Sequence, residues 1–201
     1  MTNETVWISF DLALLKQPTF VQQALANGAD ANKKVIHDLT PLHKADHPDQ
    51  INALLAHGAD VNARCKRGRT PLNNSFGEKL KILLAHGADV NAQDNLGNTA
   101  LHNTIDKDKA KVLLAHGANP LLRNNDGMTV REKILSDNML EVPDEKQFTA
   151  LLTSAEQTQR AKQSKKDLLE GLGTAWKPSD CKDEQRSEIQ QEERSRRQRK
   201  M

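Results

Sequence analysis

The heptapeptide "LLAHGAD" occupies residues 54–60 and returns unchanged at 83–89, and "LLAHGAN" occupies 113–119. A catalytic pocket is asymmetric and is built once. A phrase that recurs at a near-constant interval marks instead a unit that stacks on copies of itself. With Gly28 in register, the glycines of the phrase are Gly28, Gly58, Gly87 and Gly117, spaced 30, 29 and 30 residues apart.

A second ladder opens each unit: "TPLHKA" at Thr40, "TPLNNS" at Thr70, "TALHNT" at Thr99 and "TVREKI" at Thr129. Between the ladders lie "NALLAHG", "KILLAHG" and "KVLLAHG", helical pieces that end in Gly where a left-handed C-cap belongs. Turn-forming residues then lead to the next Thr. Each unit therefore reads as helix, tight turn, helix and hairpin loop.

This pattern resembles the ankyrin repeat, whose T-P-L-H-x-A signature is matched at 40–45 and is followed by "LLAHGADVNA" at 54–63 and 83–92. The resemblance spans about residues 15–142. It implies an all-α solenoid that binds other proteins. In the residues themselves, Thr40, Thr70, Thr99 and Thr129 are suited to cap helices, with Pro41 and Pro71 at the tolerated first position. Leu42, Leu72 and Leu101, with Leu54, Leu55, Leu83, Leu84, Leu113 and Leu114, are expected to form a continuous core. His43 and His102 stand where the family ties adjacent turns with a buried imidazole. Asn73 replaces it in the third unit, which predicts a weaker tie there.

The period departs from the family's, at 29 or 30 residues rather than 33. Gly to the next Thr is always 12 residues, so the shortfall lies between Thr and Gly. It is assigned to the turn between the two helices, "DHPDQ", "FGEK" and "DKDK", with a helix end as the other place for it. The expected organisation is an N-terminal capping unit at 1–39, three repeats at 40–69, 70–98 and 99–128, capping helices at 129–155 and a charged tail at 156–201. Trp7, Phe10 and Phe20 are expected to cover the first open end. At the other end, Pro143 and Asp144 are expected to open the last helix.

Composition agrees with a solenoid. With 36% hydrophobic residues, 3% aromatics and no Tyr, the chain is poorly supplied for a core filled from all sides. Units that touch only their neighbours manage with Leu and Ala. The net charge of +2 is uneven: 17 basic and 18 acidic residues lie in 1–155, and 12 and 9 in 156–201. Cys65 and Cys181 form no metal-type spacing and suggest a reducing compartment. The N-terminus lacks the basic flank of a signal peptide, and no apolar run is long enough to span a membrane.

Candidate chemistry is sparse. His57, His86 and His116 would lie roughly 8–10 Å apart on successive units, too far to share a zinc that needs nitrogens at about 2.0–2.1 Å. His43 and His47 are four apart, but His43 belongs to the motif and Pro48 suggests that the helix has ended. Cys65 among Arg64, Lys66 and Arg67 has the setting of a reactive thiol, with an unemployed thiol as the simpler reading. No phosphate loop, carboxylate pair or nucleophile triad occurs. No enzyme, cofactor or metal site is expected.

The variable positions point to contact. In the resembling family the hairpin tips and first helices line a concave face, and the positions flanking the hairpin glycine are free of fold duties. Carried over in register, these are Ile36, His37 and Leu39, then Lys66, Arg67 and Arg69, then Asn95, Leu96 and Asn98, then Asn125, Asp126 and Met128. The "RCKRGR" cluster at 64–69 suits an acidic segment of a partner protein. Asp38 stands where other units have Gly68, Gly97 and Gly127, which predicts a distorted first hairpin.

In the tail, "AEQTQRAKQSKKDLLEGLG" from Ala155 reads as a polar helix stopped by Gly171 and Gly173, and the stretch beyond Pro178 is too polar to bury a core. Its basic end, "RSRRQRK", resembles nuclear import signals, and the glutamate-rich approach to it is similar to export signals of bacterial ankyrin-repeat effectors. The expectation is a monomeric, cytoplasmic protein-binding module without a small-molecule substrate or membrane anchor. The alternatives are an effector translocated into a host cell and a tail that binds nucleic acid.

Overall fold

The computed structural model describes residues 18–136 and 145–175, and the chain divides after Glu156 into two units. The first unit carries α1 (Pro18–Ala26), α2 (Pro41–Lys44), α3 (Pro48–Ala56), α4 (Gly77–Ala85), α5 (Lys107–Ala115) and α6 (Val130–Ser136). The last helix, α7, runs from Glu145 to Ala175. Among the described residues there is no strand. Trp7, Phe10, Pro143 and Asp144 lie outside the described residues.

The second helices of successive units stack in order, α1 against α3, α3 against α4 and α4 against α5. Leu54, Leu83 and Leu113 recur on them and are fully buried, as are Leu42, Leu72 and Leu101 from the first turns. Burying a leucine is worth roughly 1.5–3 kcal/mol, so this one repeated residue carries much of the stacking. Leu55 and Leu114 are only partly covered. Val130 and Ile134 of α6 and Phe148 and Leu152 of α7 join the same core and close its far end.

Every second helix ends in the same way. Beyond α3, Gly58 takes φ 79° and its N–H donates to Leu55 O at 3.1 Å, while Ala59 N–H reaches Leu54 O at 2.9 Å. That pair of bonds is the Schellman arrangement, and it returns at Gly87–Ala88 and Gly117–Ala118. The preceding His57, His86 and His116 each donate an Nδ1–H to the carbonyl four residues back, at 2.8–2.9 Å. The repeated "AHGA" is a helix stop, and its histidines are local caps.

The first helix of each repeat is a single turn, in keeping with a loss at a helix end: α2 is four residues, Pro71–Asn74 is a 3-10 turn, and residues 100–103 make only a turn. As Pro48 suggested, the helix carrying His43 has ended before it, at Lys44; Pro48 opens α3, and the His47 side chain accepts from Asp49 N–H at 3.3 Å. In α7 the helix continues through Gly171 and Gly173, and its start at Glu145 makes one helix of what reads as two segments.

Candidate functional site

The Thr ladder builds each first turn by folding the third residue back onto the threonine. Thr40 N–H donates to His43 Nδ1 at 3.2 Å, Thr99 N–H to His102 Nδ1 at 3.2 Å, Thr70 N–H to Asn73 Oδ1 at 2.8 Å and Thr129 N–H to Glu132 Oε2 at 2.8 Å. This is the back half of a capping box. With Nδ1 accepting, each imidazole presents Nε2–H forwards, and it donates to the next unit: His43 to Arg69 O at 3.0 Å and His102 to Met128 O at 3.3 Å. Burial lowers the pKa of both, so the neutral tautomer is the resident form. Asn73 is too short to copy this. Its Nδ2 is buried and has no hydrogen-bond partner, as the substitution predicts.

A second tie was not read from the sequence. Asn32 Nδ2 donates to Gly58 O at 2.8 Å while its Oδ1 accepts Asp60 N–H at 2.7 Å. Asn62 holds Gly87 and Asp89 in the same way, and Asn91 holds Gly117 and Asn119. The signal was present in "GADAN" and the two copies of "GADVN", where the asparagine keeps a fixed distance from the glycine.

The hairpin tips are also joined, but through the backbone. Lys66 N–H donates to His37 O at 2.8 Å, Asn95 N–H to Arg67 O at 3.0 Å and Asn125 N–H to Leu96 O at 3.0 Å. The predicted tip positions therefore divide. Ile36, His37, Lys66, Arg67 and Leu96 are exposed with side chains outside this ladder, and Leu39, Arg69 and Met128 are half-buried. Asp126 is exposed, and its carboxylate receives a long 3.5 Å bond from Asn124 Nδ2. Asn95 and Asn125 do have fold duties, because their Nδ2 groups donate to Lys66 O at 2.9 Å and Asn95 O at 3.0 Å. Asn98 is a correction of a stronger kind: it is buried, and its Oδ1 accepts from Asn124 Nδ2 at 3.1 Å.

Three of these tips and two of the first turns beneath them enclose a groove of about 750 Å³, lined among others by His37, Lys44, Lys66, Arg67, Pro71 and Leu96. Its electrostatics are one-sided. The acid on its wall, Asp94, is buried and bound to Arg69 Nε at 3.3 Å, and its Oδ1 also accepts Leu96 and Asn98 N–H at 3.0 Å. Arg64 is held by Gln93 O at 2.8 Å. Lys44, Lys66 and Arg67 make no ion pair among the described residues. Lys44 and Asp94 escaped sequence reading, since neither flanks a hairpin glycine. Cys65 is a free, half-buried thiol on the same wall.

The first hairpin is distorted as expected. His37 and Asp38 both adopt left-handed backbone angles, φ 63° and 57°, where the other tips need only one glycine. The tip nonetheless keeps the ladder, because His37 O accepts from Lys66.

Two lysines sit below the surface on the helix side. Lys79 Nζ donates to His43 O at 3.2 Å beside Asp46, and Lys109 Nζ to Asn73 O at 2.9 Å with the Phe76 ring 4.3 Å away. Burial lowers both, and Lys109 is pushed down to about 8. Among the described residues no group of three His, Cys, Asp or Glu side chains is arranged to hold a metal, and no helix is long and apolar enough to cross a membrane.

The family model described as ankyrin repeats (3 copies) matches residues 10–94. Residues 10–94 of the chain are ankyrin repeats. The repeat geometry continues past the match, since the clamp from Asn91 to Asn119 and the stop at Gly117 repeat those before them. No curated protein matches the chain. Ankyrin repeats are generally protein–protein interaction modules, and the groove is where this array has side chains to spare.

Proposed function

We propose that the protein is a non-enzymatic binding module whose concave groove, between the tips of residues 36–39, 66–69 and 95–98 and the first turns below them, holds an acidic segment of a partner protein. The observation that supports this is the set of three cations, Lys44, Lys66 and Arg67, that line one groove with no acid paired to them among the described residues. Unpaired charges on a soluble surface cost little, but gathered in a concavity with low-dielectric walls they focus a field that attracts anions. Leu96, 61% exposed on the same wall, supplies an apolar contact that a partner would cover.

The test is capture of partners from lysate by the full chain, by a groove variant (Lys66→Ser, Arg67→Ser and Leu96→Ser) and by a helix variant (Lys162→Ser and Lys166→Ser). Both are expected to fold, because the altered side chains are exposed. A partner kept by the helix variant and lost by the groove variant is the expected result. A partner that the groove variant keeps moves the binding site elsewhere and overturns the reading.

A further inference from the structure

We propose that the groove contains an anion subsite, formed by Lys44, Lys66 and Arg67, for a phosphorylated side chain in the bound partner segment. The proposal rests on the concave-face reading above and specifies what the groove recognises.

The argument begins with charge balance. The three cations come from two different layers of the array: Lys44 ends the first turn at Pro41–Lys44, whereas Lys66 and Arg67 ride on the next hairpin tip. All three line one groove, and the wall acid that might have balanced them is consumed by Arg69 and by two backbone N–H groups. Burial holds the His43 imidazole neutral, so it contributes shape to the wall and the three cations contribute the charge.

A single carboxylate brings one charge to such a site. A phosphomonoester brings about −1.5 to −2 and three acceptor oxygens on one side chain, enough for two ammonium groups and a guanidinium to share. Matching it with carboxylates takes two or three side chains in a short span, each of which loses rotamer freedom on binding. Arg67 supplies the planar fork that grips phosphate in two places, and the lysines supply point charges around it.

The groove also limits what lies beside the phosphate. Tips of neighbouring units stand roughly 10 Å apart, so a segment laid across three of them covers about six extended residues. On one side of the cations stands Leu96, and beyond it the next tip carries Asp126, which repels a second anion. On the other side His37 and Asp38 hold a left-handed backbone that non-glycine residues rarely adopt. That geometry leaves His37 on the groove wall and Ile36 largely exposed outside it. The segment expected here has one phosphorylated residue with an apolar neighbour on the Leu96 side.

The experiment uses the full chain, immobilised, and three pools of peptides about ten residues long with randomised flanks around a fixed central phosphoserine, glutamate or serine. The expected result is retention of the phosphoserine pool at least about tenfold above the glutamate pool, with a similar loss for Lys66→Ser/Arg67→Ser and none for Lys162→Ser/Lys166→Ser. Equal retention of the phosphoserine and glutamate pools, both lost in the groove variant, overturns the phosphate subsite while leaving the acidic-segment reading in place. Phosphoserine retention that survives in the groove variant also overturns it. If inorganic phosphate alone binds the chain as tightly as the phosphoserine pool, the subsite does not read a peptide and the proposal fails.

Discussion

Two regions tie the successive units from residue 28 to residue 128, and they do so by different means. Behind the second helices the tie is a side-chain amide: Asn32, Asn62 and Asn91 each hold one carbonyl and one N–H of the next unit. At the hairpin tips the tie that every copy shares is backbone to backbone, through Lys66, Asn95 and Asn125 N–H groups, and only Asn95 and Asn125 add a side-chain bond to it. A bond made by a side chain pins the residue type, whereas one made by the backbone leaves the side chain open. The repeated phrase and the variable tips are two consequences of that single difference. Where evolution can alter the array without loosening it, the groove has its charges.

Breaking the two kinds of tie gives effects of different size, and the largest is expected at a tip. A Cβ on Gly97, which holds φ 75°, would lie 2.6 Å from Asn125 N and 2.9 Å from Asn124 Cα. Gly97→Ala should cost about 3 kcal/mol or more by chemical denaturation, because the neighbouring backbone has to move. Gly58, with φ 79° and nothing within 4 Å, should lose only about 1 kcal/mol on the same change. Next comes Asn91→Ala, which leaves Gly117 O and Asn119 N–H to water and should cost about 1–2 kcal/mol. Lys66→Ala, whose tie is made by the backbone, should stay within about 0.5 kcal/mol. If Lys66→Ala costs as much as Asn91→Ala, the distinction between the two regions is wrong.

The missing tie at Asn73 offers a gain. Asn73→His should restore the bond to Asn98 O that His43 makes to Arg69 O, raising stability by about 1 kcal/mol in the same assay. No gain would mean that the buried Nδ2 is not what the third unit lacks.

A smaller effect concerns a third side-chain tie, made by Lys79 and Lys109, which occupy positions equivalent to Gln50, all three buried. Lys109 titrates near 8 in the folded chain and near its ordinary 10.5 when unfolded. Between those values the unfolded chain binds more protons, so this group makes stability rise as pH increases from about 8 towards 10.5. Below about 8 the penalty for burying its charge is fully present. Lys109→Gln, which copies Gln50, should flatten that rise when denaturation midpoints are compared across the window.

These ties also explain what could be read without coordinates. The Thr and Gly ladders disclose the fold because each residue's duty is local: Thr40 meets His43 three residues away, and Gly58 closes the helix it follows. The loss of a tie at Asn73 was legible for the same reason. The Asn32, Asn62 and Asn91 clamps were visible as letters but not as bonds, since their partners lie 25–28 residues on. The groove was partly legible. Lys66 and Arg67 announce themselves on a tip, but Lys44 approaches from another layer and Asp94 cancels Arg69, facts that only stacking creates. Asn98 shows the limit of register arguments, because a position half-buried in the other copies, at Leu39, Arg69 and Met128, is fully buried in this one.

The most direct test of the central claim is to transplant one tip onto another, by Lys66→Asn and Arg67→Asp, the residues found at 125 and 126. Unfolding and partner capture are then measured on the same sample. The account predicts an unfolding midpoint like that of the unaltered chain and loss of the captured partner. A marked fall in stability would show that the tip side chains carry the fold, and undiminished capture would show that they do not carry the binding; either contradicts it.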